Sequence, residues 1–186
     1  SWFSALCDDD YECLGVPDPQ LASSWEHCRN IVLTADRYGF DNVLLPSGYA
    51  LGIDNTTFAA GMAPITSLRM LLAIRCGEMV VPQLARQLAS LDQMMGGRLA
   101  INIISSDVPG EVLDSEPRYR RSTEIMFCLR ELLDGRPVDF HGEHYRLEAA
   151  PMNPGPVGAM PLLVGAKGEQ RTMRIAARYA DEWNIW

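Results

Sequence analysis

A single polar residue, Asn102, lies inside an otherwise apolar run of this sequence. The run from Leu99 to Ile104 has the length and hydrophobicity of a buried parallel strand. An amide without partners in such a strand costs about 1–3 kcal/mol, so Asn102 either makes hydrogen bonds in the core or faces a ligand. The polar residues Ser105, Ser106 and Asp107 follow directly. Their position favours a ligand-facing role at the carboxyl end of the strand.

Arg75 is a second residue that could do chemistry, because it ends another predicted strand that begins at Arg69. A guanidinium at a strand end can contact a bound ligand, or it can pair with a nearby carboxylate such as Asp54 or Glu78. The sequence leaves both interpretations open. A metal site is not expected, because the three histidines lack partners at ligand spacing.

The element that positions Asn102 is a helix predicted to begin at Pro82. Pro82 suits the first turn, and Gly96 and Gly97 supply the left-handed end. Four apolar residues fall on one face of this helix: Leu84, Leu88, Leu91 and Met95.

Helices and strands alternate along the chain, which predicts an α/β fold with a parallel sheet. The predicted strands are 2–6, 42–46, 69–74, 99–104, 161–164 and 182–186, with a hairpin at 138–147. The predicted helices are 21–38, 57–62, 82–95, 119–133 and 170–179. An open doubly wound sheet would usually have a glycine-rich phosphate loop after its first strand, and this chain has none. A (β/α) barrel normally needs eight strands and about 250 residues, so counting strands does not decide between the two.

Composition limits the classes of function. With 186 residues, 47% of them hydrophobic, the chain is long enough for one well-buried domain over residues 1–186. The net charge of −8 argues against a nucleic-acid partner. No apolar stretch approaches the roughly 20 residues of a membrane helix, and we expect no secretory leader. Five scattered cysteines are expected to be reduced thiols, which predicts a cytoplasmic protein.

Five segments form a collinear set: 35–48, 64–75, 85–102, 118–124 and 138–142. The most distinctive part is Gly97-Arg98-Leu99-Ala100-Ile101-Asn102. In this order the segments resemble the bacterial luciferase-like flavin monooxygenases, in particular the alkanesulfonate monooxygenase branch.

The resemblance implies a TIM-type (β/α)8 barrel, of which about six strands are present in a single, incomplete domain. It implies an FMNH2-dependent monooxygenase of a two-component system, in which a separate flavin reductase supplies reduced FMN. O2 would give a peroxyflavin that oxygenates a small organic substrate, alkanesulfonate-like or related. Two alternatives remain: a deazaflavin (F420)-dependent oxidoreductase of the same fold, and a truncated, non-catalytic flavin-binding or partner subunit.

The resemblance also implies the site residues. Asn102 would hydrogen-bond the flavin ring, Arg118 with Tyr119 would lie along the phosphate side, and Arg75 would be catalytic. The turn from Gly165 to Gly168 would meet the phosphate at a helix N-terminus, where amide groups favour an anion. The implied cofactor-binding residues lie at strand ends or just after them: Ser47, Asn102, Ser105, Arg118, Tyr119, Gly165, Ala166 and Lys167.

Departures from the family pattern affect what the resemblance implies. Lys167 lies in the turn where relatives carry Gly-Gly-Ser-Ser, so hydroxyl donors are replaced by a cation. The cysteine of the alkanesulfonate branch after the second strand has no counterpart, and the loop from Ser105 to Pro117 is shorter. The segment that follows the sixth strand in the family is absent. Because an open barrel exposes unpaired strand edges, we expect a homo-oligomer.

Overall fold

Helices and strands alternate in the computed structural model, which describes residues 1–4, 6, 23–49, 52–165 and 172–184. In chain order the elements are β1 (Trp2–Phe3), α1 (Trp25–Arg37), β2 (Asn42–Leu45), α2 (Asn55–Met62), β3 (Arg69–Arg75), α3 (Val81–Met95), β4 (Leu99–Ile104), α4 (Ser115–Leu133), β5 (Val138–His141), β6 (Arg146–Ala150), β7 (Leu162–Gly165), α5 (Thr172–Tyr179) and β8 (Glu182–Asn184). Every predicted helix and strand has a counterpart in this order.

Six of the strands form one sheet in the order β1-β2-β3-β4-β7-β8. The pairs β1–β2, β2–β3, β4–β7 and β7–β8 are parallel, and Asn102 of β4 lies in register with Leu163 of β7. Strands β5 and β6 form a separate antiparallel hairpin. The prediction of an α/β fold with six parallel strands is therefore confirmed.

The chain divides into two compact units. The first comprises Ser1–Ala73 with Arg98–Ala100, and the second comprises Ile74–Gly97 with Ile101–Trp186. Each is described separately.

In the first unit, α1 packs through an apolar stripe of Cys28, Val32 and Ala35, all buried. The helix begins after Ser24, whose hydroxyl accepts a hydrogen bond from the amide of His27 at 3.3 Å. This is the N-cap interaction that satisfies an amide at the start of a helix.

Asp36, near the end of α1, fixes the segment that leads into β3. Its carboxylate accepts hydrogen bonds from the Thr66 hydroxyl (2.6 Å), the Ser67 amide (2.8 Å) and the Ser67 hydroxyl (2.6 Å). Hydrogen bonds from Ser67 and Thr66 lower the pKa of Asp36 from its ordinary value of 3.8. The guanidinium of Arg98 donates to the carbonyls of Thr66 and Leu68 at 2.9 and 2.7 Å. The two side chains thus satisfy the polar backbone groups of this turn.

In the second unit, α3 has the beginning and end that its sequence predicts. Pro82 lies in its first turn, and Gly96 ends it in the left-handed conformation with φ +63°. Its buried face includes Leu84, Leu88, Leu91 and Met95. Strand β4 begins three residues after Gly96, at Leu99, so this helix end sets where Asn102 lies.

Helix α4 begins earlier than predicted, at Ser115, and includes residues 115–117, which the sequence assigned to a loop. Asp114 has extended backbone at the N-cap position, and Pro117 lies in the first turn. A proline there is compatible with a helix, because the first-turn amides have no partner within the helix. The loop after β4 therefore ends before Ser115, and Pro117 belongs to the helix.

Glu124 attaches the β5–β6 hairpin to α4. Its carboxylate accepts hydrogen bonds from three successive amides of the hairpin turn, those of Glu143, His144 and Tyr145, at 2.7–3.0 Å. Successive amides that converge on one carboxylate make a strong, charge-assisted contact. The hairpin turn is thus held against the helix that follows β4.

Candidate functional site

Asn102 lies near the carboxyl end of β4, beside the end of β7. Its Oδ1 atom accepts a hydrogen bond from the Gly165 amide at 3.2 Å. Within the described ranges, its Nδ2 group donates no hydrogen bond to the protein, and the side chain is half-buried. Asn102 therefore makes the strand-end hydrogen bond and keeps two N–H donors for a ligand.

Gly165 leaves room for this arrangement. A Cβ atom at this position would lie 3.5 Å from Oδ1 of Asn102 and 4.0 Å from Nδ2. The absence of a side chain keeps the space in front of the amide open. The neighbouring predicted ligands Ala166 and Lys167 lie outside the described residues.

Arg75 and Arg118 meet at the loop that follows β4. Nη1 of Arg75 donates to the carbonyl oxygen of Asp107 at 2.9 Å, and Arg118 pairs with the Asp107 carboxylate. Arg75 also lies 3.9 Å from Glu78, one of the two carboxylate partners that the sequence left open. Both guanidinium groups hold this loop in the structure. Their predicted catalytic and phosphate-binding roles stay predictions.

An ion pair between a buried arginine and an exposed glutamate, which sequence analysis missed, fixes the same loop. Arg121, whose side chain is 9% exposed, makes two hydrogen bonds to Glu111, at 2.5 and 2.8 Å. The hydrogen bond from Arg121 lowers the pKa of the Glu111 carboxyl. In the sequence, only the adjacent arginines Arg120 and Arg121 hinted at this pair. Glu111 was not recognisable as the partner, because it lies in a loop ten residues before Arg121.

Arg121 lies in a crowded environment next to other titratable groups. The neighbouring Cys76 thiol is fully buried, and burial raises its pKa to about 11. Burial also raises the pKa of the Tyr145 hydroxyl. In the part of the chain that the structure describes, the Nε atoms of Arg118 and Arg121 and Nε2 of His144 are buried without a hydrogen-bond partner. Three polar nitrogen atoms beside the loop are therefore unsatisfied.

The remaining predicted ligands lie in different places. Ser105 is half-buried and directly follows β4, three residues after Asn102. Tyr119 faces a groove between α4 and α5. Ser47 follows β2 in the first unit and is half-buried. The structure thus brings together Asn102, Ser105 and Gly165 in one unit, while Arg75 at the end of β3 and Arg118 on α4 contact Asp107 in the loop after β4.

Two kinds of feature are absent from the described residues. No three His, Cys, Asp or Glu side chains in these ranges are placed to hold a metal ion. None of the described helices has the length and apolar character needed to cross a membrane.

Comparison with known proteins identifies the family. The model of the luciferase-like monooxygenase family matches residues 13–186. The chain belongs to the luciferase-like monooxygenase family. Within it, the chain is 51% identical over 195 aligned residues to a sulfoquinovose monooxygenase of Novosphingobium aromaticivorans, and 45% identical over 190 residues to one of Agrobacterium fabrum. All of this chain is covered, but only 54% and 49% of these relatives, so it spans about half their length.

Solved structures of low identity share the fold of this luciferase-like chain. An F420-dependent secondary alcohol dehydrogenase matches with a TM-score of 0.81 and 19% identity, over 99% of this chain and 56% of that one. The EDTA monooxygenase from Chelativorans sp. BNC1 matches with a TM-score of 0.76 and 18% identity, over 87% and 48%. The predicted architecture, part of a luciferase-like TIM-type barrel, is confirmed, and the open doubly wound sheet is not the fold.

Proposed function

We propose that this chain forms the flavin-binding part of an FMNH2-dependent, two-component monooxygenase that acts on a small sulfonate. The 51% identity to a sulfoquinovose monooxygenase over the whole of this chain is the observation that carries the proposal. Family membership alone does not choose a substrate. At this identity, a sulfonate is the substrate class that the relatives support.

The strand-end residues fit a flavin. Asn102 presents N–H donors at the carboxyl end of β4, and the flavin ring offers carbonyl and ring-nitrogen acceptors along one edge. Gly165 keeps the approach to that amide free of a side chain. Ser105 adds a hydroxyl at the same strand end. We assign ring binding to Asn102, and contacts near it to Ser105 and Gly165.

When bound, reduced FMN supplies the electrons that activate O2 for insertion of one oxygen atom into the substrate. The chain's residues hold and orient the groups and exclude water. In this assignment Asp107 and its two arginines act as positioning residues, because Arg75 and Arg118 fix the loop beside Asn102. Ser47, Tyr119, Ala166 and Lys167 remain proposed cofactor contacts, the last two at the phosphate.

The proposal includes a flavin reductase as partner, O2 as co-substrate and a homo-oligomeric assembly. It also includes a cytoplasmic location, since the described cysteines Cys28, Cys76 and Cys128 are free thiols.

The cofactor can be tested by anaerobic titration of the purified protein with reduced FMN and, separately, with F420. We expect saturable binding of reduced FMN, with an affinity about tenfold or more above that for F420. Tighter binding of F420 would support the alternative assignment, a deazaflavin-dependent oxidoreductase, and contradict the monooxygenase. Binding of neither cofactor would contradict the proposal.

The reaction is tested with a flavin reductase, NADH, FMN, O2 and sulfoquinovose. Oxygen inserted at the carbon that bears the sulfonate gives a hydroxysulfonate, which collapses to a carbonyl and sulfite. We expect sulfite release that requires FMN, O2 and the sulfonate together. Flavin binding without sulfite release would support the non-catalytic alternative.

A further inference from the structure

A groove lies between α4 and α5 in the second unit, and Tyr119 is the only one of its lining residues among the proposed flavin contacts. Its volume is about 230 Å³. Three arginines, two tyrosines and one carboxylate line it: Arg120, Arg174, Arg178, Tyr119, Tyr179 and Glu116. We call it the arginine groove.

The arginine groove has an excess of positive charge. Arg120 is paired, with Glu116 at 3.6 Å and with Glu143 at 2.9 Å. Arg174 pairs with no carboxylate in the described ranges, and Arg178 lies 5.8 Å from the ring centre of Tyr179 without a carboxylate partner there. The lining therefore carries three guanidinium groups against one carboxylate, in a chain whose net charge is −8.

Most other arginines in the described part of this unit are neutralised by a carboxylate, whereas Arg86 on α3 hydrogen-bonds Gln83 instead. Arg121 binds Glu111, and Arg136 binds Glu131 through two hydrogen bonds of 2.7 Å. Arg174 and Arg178, which have no carboxylate partner among the residues that the structure describes, lie together on one groove wall. Arg174 and Arg178 are four residues apart on α5, so their side chains extend from the same helix face.

The walls of the groove are held in place. Arg130 on α4 donates to the Tyr179 carbonyl at 3.1 Å and pairs with Asp181 at 2.5 Å, which ties the end of α5 to α4. The Tyr179 ring packs edge-on against Phe127 with ring centres 6.4 Å apart. Ile175, 8% exposed, lies between the arginines on α5. A ligand in the groove would therefore meet a surface that is already formed.

We propose that the arginine groove binds a small organic anion with a tetrahedral oxyanion group, a sulfonate or a phosphate. Guanidinium groups match such oxyanions with paired N–H donors, more strongly than a point charge does. The tyrosine rings and Ile175 offer apolar surface to the organic part of the ligand. The volume of the groove is just below the roughly 300–1,000 Å³ of sites that bind drug-sized ligands, which favours a small molecule. Arg174 and Arg178, which would hold the oxyanion, are not among the proposed flavin contacts.

The test is a titration of the purified protein at low ionic strength, followed by amide NMR. The probes are methanesulfonate and inorganic phosphate, added in separate experiments to distinguish the two sources of oxyanion. We expect saturable shifts confined to amides of residues 116–123 and 174–179. The probe with the lower dissociation constant identifies the preferred head group.

Two double variants and one control complete the test. R174E/R178E should weaken binding of the preferred probe by about tenfold or more, and R174Q/R178Q should weaken it less. All four substitutions are at exposed positions, so the fold should be kept. Arg86→Glu, at an exposed arginine on α3, is the control and should change affinity by no more than about twofold.

Three results would overturn the proposal. One is shifts that do not saturate. Another is an equal loss of affinity for the probe in R86E and in the double variants, which would show that the probe responds only to the overall charge of the protein. The third is shifts centred on Asn102 and Gly165, which would place the anion at the proposed flavin site instead.

Discussion

The guanidinium carbon of Arg121 lies 2.5 Å from the position that a Cβ atom on Gly77 would occupy. The arginine thus fills the space that any other residue at position 77 would need. Gly77 also has φ +110°, a backbone conformation that favours glycine. Because Arg121 is nine-tenths buried and paired with Glu111, it has little freedom to move aside.

We therefore expect Gly77→Ala to destabilise the protein strongly. The added methyl group must displace the buried Arg121 guanidinium from the more exposed Glu111, and loss of a hydrogen bond between charged groups costs about 1.5–3 kcal/mol in addition to the backbone strain. Gly110→Ala is a matched control, because Gly110 also has a positive φ, +80°, but nothing lies within 4 Å of its Cβ position. It should cost only the backbone strain of about 1–2 kcal/mol. Urea unfolding of both variants measures the difference, and equal losses would show that Arg121 moves freely.

Glu111→Gln should lower the free energy of unfolding by about 1–3 kcal/mol, because it removes the charge that neutralises a buried guanidinium. The control is Glu131→Gln, which alters the more exposed, equally bidentate pair with Arg136 and should cost less than about 1 kcal/mol. Chemical denaturation compares the two variants. If E131Q costs as much as E111Q, burial does not strengthen the Arg121 pair.

Because the pKa of Asp36 is lowered by folding, we expect its contribution to stability to be lost in acid. Its pKa is lower in the folded chain than its ordinary value of 3.8, so the unfolded state binds the proton more readily. The stabilisation by Asp36 is complete above pH 3.8 and is lost as the pH falls through the lower, folded pKa. Asp36→Asn should be less stable near neutral pH, and its difference from the wild type should shrink in acid. Thermal unfolding at a series of pH values measures this, and a constant difference would contradict it.

The sequence predicted the features that depend on local chemistry. Pro82 and Gly96 mark the ends of α3, and the apolar run around Asn102 marks β4. The parallel arrangement then places Asn102 beside the end of β7, where Gly165 meets it. These features follow from residues that lie close together in the chain.

Features that depend on distant partners were not predictable. The sequence offered Asp54 or Glu78 as partners of Arg75 and a phosphate-side role for Arg118, whereas both arginines contact Asp107, which no local pattern marks as their partner. The Glu111–Arg121 pair joins a loop to a helix, and the Gly77 contact adds a third segment. In each case tertiary packing, and not residue type, selects the partner.

Titration of Asn102 variants with reduced FMN tests the central claim most directly. Asn102→Asp keeps an oxygen to accept the Gly165 amide but removes the N–H donors, whereas Asn102→Leu removes both. We predict that both variants bind reduced FMN about tenfold or more weakly than the wild type. Only Asn102→Leu should also lower the urea midpoint. If Asn102→Asp binds reduced FMN as tightly as the wild type, Asn102 is a core hydrogen-bonding residue and not a flavin ligand.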